Sequence, residues 1–197
     1  TGIVRESREE PIHDTACGYP MAPFALAIVD EHGEEQPPGV EGEICIRATD
    51  TGDWAGCWSP MLGYWRRPEA PATALAGGML HTGDVGALDG NGRLTISGRR
   101  SELILRGGAN VYPVEVEAAL LAHPAVAEAA VYGAPDDRLG ERVMAAIVAR
   151  QPDLDLDDLR HFLAERIAAY TVPVAIRVLD ALPRNAMGKV VKGELHR

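Results

Sequence analysis

The chain reads as an α+β protein in two parts, a β-rich part over residues 1–99 and a small α+β part over 100–197. Three observations predict this. Up to Gly98 the apolar residues come in short runs or alternate at period two between Gly, Pro and Asp-Gly breaks, the pattern of strands and tight turns. After Gly98 helical spacing appears, with Leu156, Leu159, Phe162, Leu163 and Ile167 on one face. With 197 residues, 46% of them apolar, the chain can bury a sizeable core or two small ones.

Residues 20–30 end in a short apolar run, 31–38 form a polar turn, and Glu43 to Arg47 alternate, which predicts strand, turn, strand. Residues 50–60 hold Trp54 and Trp58 among Gly, Ser and Pro, predicting an irregular loop anchored by two large rings. Residues 68–75 can form a short helix that Gly77 and Gly78 stop. Leu80 to Gly86 and Leu94 to Ser97 flank Asp89-Gly90-Asn91-Gly92, whose composition suits the positive φ of tight turns, so a hairpin is expected. In the second part, Leu103 to Leu105 read as a strand and Gly107-Gly108 as a break. A helix follows over 113–122, with Pro113 first and Glu115 near its positive end. Val126 to Tyr132 and Val143 to Ala149 read as strands. An amphipathic helix begins after Asp155, its cap, and Ala175 to Leu179 form a last strand. The tail from Asn185 to Arg197 shows no apolar face large enough to bury.

Nineteen Lys and Arg against 29 Asp and Glu give a net charge of −10, a sign that repels phosphate backbones and anionic lipid heads. Nucleic acid and membranes are therefore not expected partners. Cys17, Cys45 and Cys57 form an odd set without close pairs, which argues against a disulfide framework or a structural zinc site. A reducing, cytoplasmic setting is expected from these cysteines, and a soluble protein or part of one from the lack of any run near the length of a membrane helix and of signal-peptide features from Thr1 onward.

Four groups of residues could do chemistry, and each also has an ordinary structural reading. Asp84, in His81-Thr82-Gly83-Asp84, can accept two hydrogen bonds as a ribose diol offers them, or can serve a turn. Arg99 and Arg100, followed by Ser101 and Glu102, lie where the two parts meet; they could grip phosphate or ribose oxygens beside a hinge, or form a solvated basic turn. Gly107 and Gly108 precede a helix, where missing Cβ atoms allow close approach of a ligand, or simply make a loop. Lys189, after Gly188 in a polar tail, can neutralise charge on a transferring phosphoryl or acyl group, or be a surface lysine.

Taken in this order and spacing, the strings resemble the adenylate-forming superfamily of acyl-CoA synthetases, luciferases and adenylation domains. The resemblance runs through Pro37-Pro38-Gly39, Gly42-Glu43-Ile44, the segment 63–69 (GYWRRPE), Thr82-Gly83-Asp84, Gly98-Arg99, the segment 107–117 (GGANVYPVEVE), and Pro183 through Gly188-Lys189. It implies an acid–thiol ligase: a carboxylate attacks the α-phosphate of ATP to give an acyl-adenylate, and a thiol, usually that of coenzyme A, displaces AMP. It also implies domain alternation. Residues 1–99 would be the β-rich, distorted barrel-like end of the large AMP-binding domain, and 100–197 the mobile carboxy-terminal lid. By motif match Asp84 and Arg99 would bind the nucleotide, Lys189 would be the catalytic lysine of adenylation, and Gly107 and Gly108 would line the coenzyme A tunnel. Ser101 would be the hinge, where the family commonly has Asp or Lys.

The family's phosphate loop and its aromatic-Gly-x-Thr-Glu segment do not occur in these residues. The expectation is a carboxy-terminal fragment of a longer fatty-acid-type or other acyl-CoA synthetase, inactive alone, with ATP and Mg2+ held mainly by the missing amino-terminal part. No metal ligand is assigned within the chain. An adenylation domain that loads a carrier protein is the alternative enzyme, disfavoured because residues 107–117 have the CoA-ligase form and the chain stops eight residues after Lys189. A non-catalytic nucleotide- or partner-binding module is the other alternative.

Overall fold

The computed structural model describes residues 4–5, 16–62, 74–152 and 154–196. The motif at 63–69 and most of the short helix expected over 68–75 lie outside them. The chain forms two compact units, Thr1–Arg100 and Ser101–Arg197.

In the first unit six strands, β1 (Val4–Arg5), β2 (Ala16–Pro20), β3 (Phe24–Val29), β4 (Gly42–Ala48), β5 (Leu80–Leu88) and β6 (Leu94–Arg99), pair antiparallel in the order β1-β2-β6-β5-β4-β3. Period-two alternation splits β3 and β4 between two faces. Leu26, Ile28, Ile44 and Ile46 pack with Leu94 on one, while Ala27, Val29 and Cys45 pack with Met79 on the other. The barrel-like end is, among the described residues, an open sheet with β1 and β3 at its edges. The β5–β6 hairpin forms as expected: the Asp89 carboxylate accepts the N–H of Asn91 (2.8 Å) and Arg93 (2.9 Å), which fixes the turn. The loop at 50–60 differs from expectation. Trp58 packs against the sheet, but Trp54 remains 55% exposed, so one ring anchors the loop.

The second unit is built on β10 (Gly140–Ala149). It pairs antiparallel along its length with β9 (Val126–Asp136), in parallel with β11 (Ala175–Val178), and through Gly140 with β7 (Ile104–Arg106), which forms a hairpin with β8 (Ala109–Val111). Helix α1 (Pro113–Leu121) opens on Pro113. Helix α2 (Leu156–Ala164) makes the crossover that parallel β10 and β11 require, and the Asp155 carboxylate caps it by accepting the N–H of Asp157 (2.8 Å) and Asp158 (3.3 Å). Both helices cover one sheet face. Val116, Leu120, Leu159 and Leu163 pack there on Val131, Val143, Ala145 and Ile147.

The opposite face is covered by the carboxy-terminal segment, contrary to the reading of a tail without burial. Leu182 and Leu195 are buried against Ala130, Tyr132 and Ala146, with Val190 packed beside them. Leu195 sits on a 3₁₀ turn, Lys192–His196, and with Val190 it anchors a polar segment without any periodic pattern. Among the described residues no helix is long and apolar enough to cross a membrane.

Candidate functional site

Asp84 is placed by an irregularity in the sheet. Glu43 pairs with Val85 and Cys45 with His81, so β5 spans four residues where β4 spans two, and Thr82-Gly83-Asp84 bulges from the ladder. Gly83 supplies the φ of +73° that the bulge needs. The Thr82 hydroxyl donates to the Ile44 carbonyl (2.7 Å) and accepts the Asp84 N–H (3.1 Å). On its other side β5 registers Asp84 opposite Arg99, whose Nε lies 2.8 Å from Oδ1 of Asp84. Fifteen residues apart in sequence, these two groups form one ion pair at the end of a hairpin. Among the described residues the guanidinium engages one carboxylate oxygen, and the other keeps the acceptor capacity that a diol would use.

Glu43 is the hub beneath this bulge, and its side chain is only 11% exposed. Its Oε1 accepts the Gly83 N–H (3.1 Å), while Oε2 lies 3.1 Å from both His81 Nδ1 and a terminal nitrogen of Arg100. In the sequence Glu43 lies within the string Gly42-Glu43-Ile44, which implies no role for it. Its signal is a carboxylate at the start of the alternating run Glu43 to Arg47. His81 Nδ1 also lies 3.4 Å from the Cys45 sulfur. This Cys, His, Glu grouping is not a nucleophilic site: burial, followed by the Glu43 charge, pushes the Cys45 thiol up to about 12, so it stays protonated at neutral pH.

The remaining candidates lie on three turns. Ser101 is exposed, in the 3₁₀ turn Arg100–Glu102. Glu102 is paired with Lys192 (2.6 Å), which also meets Glu117 (2.9 Å). Gly107 and Gly108 do not open a helix. They are the two-residue turn of the β7–β8 hairpin, with φ of +59° and +85°, and β8 separates them from Pro113. A two-residue hairpin loop needs positive φ at both positions, which outweighs any helix-terminal reading of the pair. Lys189 is exposed at the end of a turn closed by Asn185, whose Oδ1 accepts the N–H of Met187 (3.0 Å) and of Lys189 (3.0 Å).

Among the described residues no group of three or more His, Cys, Asp or Glu side chains is arranged to hold a metal ion. Cys17, Cys45 and Cys57 are not joined in disulfides.

Residues 115–189 match the family described as AMP-binding enzyme C-terminal domain. The chain is 42% identical over 183 residues to the 2-succinylbenzoate–CoA ligase of Geobacillus kaustophilus, covering 92% of this chain and 35% of that protein. It is 39% identical to a fatty acid–[acyl-carrier-protein] ligase of Streptomyces coeruleorubidus, covering 91% of this chain and 33% of the relative. Among solved structures, the o-succinylbenzoate CoA synthetase of Bacillus subtilis in complex with its acyl-adenylate intermediate superposes with a TM-score of 0.82 at 37% identity, over 93% of this chain and 36% of that one. The chain thus spans about a third of the length of the relatives it matches. Motif order, fold and these similarities agree: the chain belongs to the adenylate-forming superfamily and corresponds to its carboxy-terminal portion.

Proposed function

We propose that these residues are the carboxy-terminal part of an AMP-forming acid–thiol ligase, which joins a carboxylic acid to ATP as an acyl-adenylate and then passes the acyl group to coenzyme A. The observation that carries this reading is the register that sets Asp84 beside Arg99 on a bulge of the sheet. A diol acceptor next to a guanidinium is what the ribose and phosphate of an adenylate require. In this reading residues 1–99 belong to the large AMP-binding domain, 100–197 form the lid, and Ser101 is the pivot. Gly107 and Gly108 line the thiol's approach. Lys189 offsets the negative charge that gathers at the α-phosphate and the attacking carboxylate. The enzyme is cytoplasmic and takes ATP with Mg2+, the metal being held outside these 197 residues; fatty acids are one substrate class for it.

A carrier protein as acyl acceptor is the second reading. It is favoured by the named acceptor of the Streptomyces coeruleorubidus relative, which matches this chain about as well as the CoA ligase does. Free coenzyme A against a phosphopantetheinylated carrier separates the two.

The test uses the longer protein that contains these residues, with a panel of carboxylic acids. Lys189→Ala is expected to lower acid-dependent ATP–pyrophosphate exchange by about 100-fold or more, the scale of removing one transition-state charge contact. It should leave thioester formation from preformed acyl-adenylate close to normal. The 197 residues alone are expected to show no exchange. Normal adenylation by Lys189→Ala overturns the reading.

A further inference from the structure

We propose that Glu128 is a positioning residue for Lys189, acting through the guanidinium of Arg184. The inference rests on Lys189 being the adenylating cation. Residues 185–189 are all exposed, so no side-chain packing resists rocking of the turn that bears it. Its internal bonds, from Asn185 Oδ1 to two N–H groups and between the Asn185 and Lys189 backbones (2.9 Å), hold its shape. They do not fix its direction relative to the sheet. Apolar packing of Leu182 and Val190 holds only the neck below it.

Among the described residues one side chain ties the tip of the turn to the sheet. Arg184 donates from one terminal nitrogen to the Gly188 carbonyl (2.6 Å) and from the other to Glu128, which lies on β9. Gly188 immediately precedes Lys189, so the guanidinium spans from a strand to the residue next to the cation. A planar fork can hold a carbonyl and a carboxylate at once, which an ammonium at the same place cannot do with fixed geometry. Both side chains are roughly half exposed, and such pairs add little to global stability. A positional role and a structural one therefore separate by experiment.

Glu128→Gln and Arg184→Lys are made in the longer enzyme and in the 197-residue chain. In the enzyme, acyl-adenylate formation should slow by about tenfold, in keeping with the cost of misplacing a reacting group by a fraction of an ångström. Thioester formation from preformed acyl-adenylate and the melting temperature should stay unchanged. In the 197-residue chain, backbone order parameters at 186–189 should fall in both variants. Equal slowing of both half-reactions, slowing of neither, or unchanged order parameters overturns the proposal. Lys189→Ala is the control: if it adenylates normally, the role of Lys189 is wrong, and the order parameters still decide whether Glu128 braces the turn.

Discussion

Asp84 is held on a bulge within a sheet and Lys189 outside any ladder. Beneath Asp84, a nearly buried carboxylate satisfies a backbone N–H, an imidazole and a guanidinium, while strands pair on both sides. Lys189 ends an exposed turn closed by one amide side chain and braced by one arginine. The first arrangement cannot lose its carboxylate without leaving the part-buried Gly83 N–H unpaired, whereas the second can adjust into water. A surface that must receive a ligand in one geometry suits the first. A cation that must be presented and withdrawn suits the second.

Two perturbations should break or sharpen this contrast. The larger is Glu43→Ala, which strands the Gly83 N–H and leaves His81 and Arg100 without their carboxylate. The first unit should lose about 3 kcal/mol, while Asn185→Ala should cost the second about 1 kcal/mol or less. All three tryptophans precede Arg100, so their fluorescence during urea unfolding reports the first unit, and amide signals from β10 report the second. Equal losses would erase the contrast.

The smaller effect should treat the two units alike. Asp89 in the first and Asp136 in the second each accept backbone N–H groups in a turn, and those bonds hold both carboxyls below the ordinary value of 3.8. A depressed folded-state pKa gives stability that is fully present above the unfolded value and is lost as pH falls through the folded one. Both units should therefore weaken as pH drops below about 4. Asp89→Asn should flatten that slope in the first unit alone, and Asp136→Asn in the second alone, as read from urea midpoints between pH 5 and 2.

What the sequence revealed follows the same division. Local chemistry was legible: the Asp155 cap, the Asp89 turn, the Pro113 start and the alternation of β4 each depend on residues within a few positions of one another. Pairing between distant segments was not. Nothing near Glu43 announces that its partners are His81, Gly83 and Arg100, because a bulge two residues deep changes the register only in three dimensions. Strands β9 and β10 run on to Asp136 and back from Gly140, past the apolar runs that predicted them, since backbone pairing continues through polar residues and Pro135. Leu195 escaped notice because one buried leucine makes no period. The family strings pointed to Asp84, Arg99 and Lys189, whereas Glu128 lies in none of them.

The turn at Gly107 and Gly108 has a stereochemical consequence. A Cβ on Gly108 would meet no heavy atom within 4 Å, so the position rejects ordinary side chains on grounds of handedness and not of room. A D-residue introduced there by chemical synthesis would find the positive φ it prefers already set. At Gly107 the Leu139 side chain would also lie 3.3 Å from an L-residue's Cβ, so crowding adds to handedness there.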